Sequence, residues 1–148
     1  MRFAKLSVSS LALFATALSG FAAEAQSGGR LAVSVQGVRN DNGSVRCGLY
    51  NSPNGFREPG REFRGAVAAI RGGQATCVFT SIPSGTYAVA VFHAENNETQ
   101  METGLFGKPK QGFGFSRNPV SSFGPPDFAS ASFTYGGGSM NLAVRLSY

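Results

Sequence analysis

Tryptophan is absent from this 148-residue chain, histidine occurs once, cysteine twice, and charged residues make up only 14% of it. Each scarcity removes a class of protein. One histidine and two cysteines are too few to furnish a structural zinc site of the usual ligand types. No Gly-x-Ser-x-Gly elbow is present to present a hydrolase nucleophile. No apolar run reaches the ~20 residues that a spanning helix needs. The length suits one domain, not several. What remains is 20 glycines, 13 phenylalanines and 42% hydrophobic residues. That is enough apolar material for a core, and too little charge for a disordered chain. A glycine- and phenylalanine-rich, weakly charged composition suits an all-β fold.

The first residues read as a leader. Arg2 and Lys5 are followed by an apolar stretch from Leu11 to Phe21, which ends in Ala23-Glu24-Ala25, a small-x-small cleavage pattern. This is the organisation of a secretory signal peptide over residues 1–25, preceding a mature domain at 26–148. Cleavage would remove Arg2, Lys5 and Glu24 and lower the formal net charge from +5 to +4. The product is expected in the periplasm or the medium. In such an oxidising space Cys47 and Cys77 are expected to form a disulfide.

Hydrophobic alternation marks seven short strands, near residues 30–38, 44–51, 64–70, 74–80, 86–92, 129–135 and 140–148. Leu31, Val33 and Val35 share one face of the first, and Val45, Cys47 and Leu49 one face of the second. Asp41-Asn42-Gly43-Ser44 between them carries the Asn-Gly signal of a tight hairpin. The stretch 86–92 is almost continuously apolar and reads as a central strand buried on both faces. Tyr87, after Pro83-x-Gly85, is placed to hydrogen-bond back across a strand corner. Residues 93–127 form a long polar, Gly/Pro-rich connection without periodicity, the kind of segment that often carries function. The fold expected is a single antiparallel seven-stranded β-sandwich, transthyretin-like or immunoglobulin-like.

Several stretches, in this order, resemble a known family. They are Gly37-Val38-Arg39-Asn40-Asp41-Asn42-Gly43, Val45-Arg46-Cys47-Gly48-Leu49-Tyr50, Gly72-Gly73-Gln74-Ala75-Thr76-Cys77 and the run from Pro83 to His93. Leu105 to Ser116 and Phe123-Gly124-Pro125-Pro126-Asp127-Phe128 continue the match. The chain resembles the bacterial domain-of-unknown-function family 2141, a group of small secreted proteins. The resemblance implies a transthyretin-like or carboxypeptidase-regulatory-like sandwich and no established activity. Family members often follow the Phe-His pair with a loop resembling a calcium site. Here Ala94 replaces the first acid and no glycine follows within it, which implies a weak or degraded site. Asn96, Glu98 and Glu102 are the oxygens left to it. No other cofactor is implied.

Candidate functional residues gather in the long connection. Phe113 and Phe115 between glycines, with Lys108, Lys110 and the strand-ending His93, suit a platform for an anionic ligand. An anionic glycan, a lipid headgroup or an envelope protein are the partners this suggests. Lys110 to Phe115 also resembles the core of an RNA-recognition signature, but Ser116-Arg117-Asn118 break it and nucleic acid is not expected. Catalysis needs a base, a nucleophile and an orienting group within reach. A hydrolase using His93 with a loop carboxylate is the competing class, and a calcium-stabilised structural protein is the third alternative. The expectation is a non-catalytic binding or cell-envelope accessory module.

Overall fold

The computed structural model describes residues 29–121 and 123–148; the leader expected at 1–25 lies outside the described residues. Eight strands follow in order: β1 (Gly29–Gln36), β2 (Ser44–Tyr50), β3 (Arg64–Ala69), β4 (Gln74–Ile82), β5 (Gly85–Ala94), β6 (Phe113–Phe115), β7 (Phe133–Tyr135) and β8 (Ser139–Arg145). One short helix, α1 (Phe128–Ala131), precedes β7. A three-stranded sheet has the order β4-β1-β8, and a five-stranded sheet the order β3-β2-β5-β6, with β7 pairing the start of β5. The all-β sandwich expected from the strand pattern is the architecture. Every pairing is antiparallel except β1 with β8, which run parallel from Arg30↔Ser139 to Gln36↔Arg145.

The core lies where the alternation places it. Leu31, Val33 and Val35 from β1 meet Val45 and Leu49 from β2, Phe79 from β4, Val89 and Val91 from β5, and Val144 from β8. All are buried between the sheets. Cys47 on β2 and Cys77 on β4 are bonded across this core, with Cα atoms 6.4 Å apart. The bridge therefore joins one sheet to the other. Tyr87 donates to the carbonyl of Pro83 at 2.8 Å, the strand-corner bond that its position suggested.

β5 is buried on both faces. Val89 packs between the sheets, while Ala88 on the opposite face belongs to a second apolar cluster with Tyr50, Phe56, Phe115 and Ala131. Phe56 anchors this outer cluster, edge-on to Tyr50 at 5.3 Å and to Phe128 at 5.7 Å. Ser116, fully buried, ties it to the sheet: its hydroxyl accepts from the Val89 amide at 2.9 Å and donates to the Ala131 carbonyl.

Some local expectations are corrected. Asn42-Gly43 closes no hairpin; the chain crosses there from one sheet to the other. Gly43 has φ +69°, and a Cβ on it would lie 1.9 Å from the Ala94 carbonyl oxygen, so the glycine serves a close approach to β5. Asp41 accepts from the amides of Gly72 and Gly73, each at 2.9 Å, and so ties this crossover to the β3–β4 turn. The connection 93–127 contains β6, which pairs with β5. The segment from 129 opens as α1, capped by the Asp127 carboxylate on the Ser130 amide at 2.8 Å, before β7 begins. Asn118 reaches the edge of β8: its side-chain oxygen accepts from the Arg145 amide at 2.8 Å, and its amide donates to the Ala143 carbonyl at 3.1 Å.

The disulfide closes a loop of 30 residues, which stabilises the fold by roughly 3–4 kcal/mol in the chain-entropy account. Replacing both cysteines by alanine is expected to lower the melting temperature by roughly 10–15 °C, measured by calorimetry beside the oxidised wild type. An unchanged melting temperature would remove the bridge from any account of stability.

Candidate functional site

The residues singled out in the sequence fall into three places. Strand periodicity explains the first division. His93 shares a face of β5 with Val89 and Val91 and is fully buried. Phe92 faces the other way, and β6 lies beside it with Phe92↔Phe113 and Ala90↔Phe115 in register. Phe113 and Phe115 therefore stand on the outer face of the five-stranded sheet, opposite His93. Phe115 packs into the outer cluster, and Phe113 lies partly buried against it. Lys108 and Lys110 are exposed on a hairpin-like excursion, where the Gly104 amide donates to Lys108 O at 2.7 Å and the Lys110 amide to Glu102 O at 2.9 Å.

Glu98 and Glu102, two of the proposed calcium ligands, have partners within the chain. Glu98 folds back onto Asn96, accepting from its backbone and side-chain amides at 3.0 and 3.1 Å. These bonds, with the backbone amide of Glu98 itself foremost, hold the Glu98 carboxyl below its ordinary pKa. Glu102 faces Lys110 at 3.7 Å instead. Among the described residues, no three histidine, cysteine or acidic side chains gather as a metal-binding group.

His93 sits at the centre of a closed network. Nε2 lies 2.8 Å from the Asn42 carbonyl, and Nδ1 lies 2.8 Å from the Tyr148 hydroxyl. A carbonyl only accepts, so Nε2 carries the proton in the neutral ring, and the Tyr148 hydroxyl donates to Nδ1. That hydroxyl in turn accepts from the Arg39 amide at 3.0 Å. The Arg39 guanidinium stacks 4.7 Å over the Tyr148 ring and forms a two-pronged pair with Glu95 through Nε and, at 2.7 Å, Nη2. Asn40 adds a bond to Glu95 at 3.0 Å. The bond from Arg39, above all, holds the Glu95 carboxyl down at about 2. Gly112 makes room for this corner, since a Cβ there would lie 2.3 Å from the Tyr148 ring. Both nitrogens of His93 are thus engaged in holding the end of the sandwich together. A general base needs a lone pair facing a substrate, and this ring presents none.

The outer face carries the arrangement that sequence reading missed. Val67, Arg46, Phe92 and Phe113 stand directly opposite one another across β3, β2, β5 and β6. Val67 is 59% exposed, and the other three are half-buried. Arg46 makes no hydrogen bond or ion pair among the described residues, and its Nε is buried without a partner. Alternation alone puts Arg46 outward on β2. Its neighbours come from strand order and register, which local sequence does not carry.

The fold is that of a small, disulfide-braced β-sandwich. The model of a family described as an uncharacterized protein conserved in bacteria (DUF2141) matches residues 33–143, and the chain belongs to that family. No match to the chain was found among curated proteins or solved structures. Among the described residues no helix is long and apolar enough to cross a membrane.

The network sets a pH dependence. The Glu95 carboxyl is depressed from 4.5 to about 2 by folding. Its contribution is therefore complete above its unfolded value and is lost as pH falls through the folded one. Glu95→Gln is expected to cost about 1 kcal/mol at neutral pH, with the difference from wild type vanishing near pH 2. Urea unfolding across that pH range checks it; a gap of constant size would disconnect Glu95 from the acid response.

Proposed function

We propose that this protein is an exported, non-catalytic binding or cell-envelope accessory module that works in the periplasm or outside the cell. Export is supported by the charged, apolar and small-x-small organisation of residues 1–25 and by the Cys47–Cys77 bridge, a bond that oxidising compartments favour. The binding reading is carried by one observation: the outer face of the five-stranded sheet presents the row of exposed Val67 and half-buried Arg46, Phe92 and Phe113 beside its capped end. The engagement of both His93 nitrogens favours binding over the hydrolase alternative.

The test uses protein recovered from a periplasmic fraction. Its intact mass is expected to fit residues 26–148 with the cysteines oxidised. In sedimentation with peptidoglycan sacculi or anionic lipid vesicles, one of the two is expected to carry the protein down. Phe92→Ala, verified as folded, should reduce that fraction at least fivefold. Retention by neither material, or retention indifferent to Phe92, would overturn the binding reading. An intact leader with free thiols would overturn export.

A further inference from the structure

We propose that the outer face of the five-stranded sheet binds a carboxylate-bearing glycan, with Arg46 holding the carboxylate and Phe92 and Phe113 supporting sugar rings. The proposal rests on the binding reading above and names its ligand class. Arg46 supplies the first argument. Its stem lies between Val67 and Phe92 in the cross-strand register, its Nε is dry, and no carboxylate among the described residues pairs with it. A partly desolvated guanidinium without a counter-charge is unfavourable until an anion arrives. Its planar fork fits a carboxylate through two parallel hydrogen bonds.

The geometry of the row supplies the second argument. Four side chains on adjacent strands stand on one face, a line of roughly 14 Å at the ~4.8 Å spacing of paired strands. That is the length of a short oligosaccharide. Pyranose rings present flat C–H surfaces, which lie well on the electron-rich faces of phenyl rings. Sheet pairing fixes the backbone of the row, so no backbone ordering is left to the binding step. A peptide ligand would draw its main affinity from backbone pairing at a sheet edge. Here the row runs across the sheet from β3 to β6, and at its centre, Arg46 on β2 and Phe92 on β5, the strands have paired neighbours on both sides. The formal charge of +4 left after removal of residues 1–25 favours approach of a polyanion.

The test is calorimetric titration of the oxidised protein at low salt with a galacturonic acid hexamer and with its fully methyl-esterified counterpart. The acid is expected to bind at least tenfold tighter than the ester. Arg46→Gln should weaken acid binding at least tenfold, and Arg46→Lys, which keeps stem and charge, should lose only part of it. Phe92→Leu should lose severalfold, and Arg71→Gln, at an exposed cation of the β3–β4 turn, should stay within twofold of wild type. Equal binding of acid and ester, or an Arg46→Gln protein that binds as wild type, would overturn the proposal. So would a hexamer that fails to bind while sacculi or vesicles still carry the protein down through Phe92; that result would leave the binding reading standing. Failure of all the probes would remove both.

Discussion

The fold turns on the burial of β5 from both sides. Val89 and Val91 require a second sheet on one face, and β1, β4 and β8 provide it. Ala88 on the other face requires a different cover, provided by Phe56, Phe115 and α1. A strand buried twice must also have its own backbone satisfied by neighbours. β2, β6 and β7 meet that demand, helped by the Ser116 hydroxyl on the Val89 amide. The long connection after His93 is thus largely a consequence of this strand: it returns the chain to pair with β5 and to cap its outer side.

What could be read from residues alone was what depends on near neighbours. The alternation of Leu31, Val33 and Val35 gave a half-buried strand, the apolar run at 86–92 gave a central one, and Tyr87 gave its corner bond. Contacts between distant segments left no local trace. Asn42-Gly43 has the composition of a hairpin, and only the nearness of Ala94 explains why the glycine serves a crossover. β6 is three residues long, too short for any period to show. Nothing near His93 in sequence announces Tyr148, 55 positions away. The parallel course of β8 beside β1 is likewise a matter of topology.

The same limit governs the candidate sites. Phe113 and Phe115 stood out as aromatics among glycines, and they do share a face, though one of them is committed to the outer cluster. His93 stood out for being alone, and its chemistry is spent internally on Asn42 and Tyr148. Arg46 and Phe92 drew no attention because each is unremarked in its own strand. They become a surface feature only when β2 and β5 are laid side by side with Arg46 opposite Phe92. Fold class is a property of patterns, whereas a binding face is a property of register.

The contact of Asn118 with β8 has a consequence for how these molecules behave in a crowd. A side-chain amide has the same donor and acceptor as a peptide unit, and here it takes the Arg145 amide and the Ala143 carbonyl of an outlying strand. Unsatisfied strand margins recruit further strands and seed fibrils. With that rung filled from within the same chain, the margin of β8 offers no template at that point.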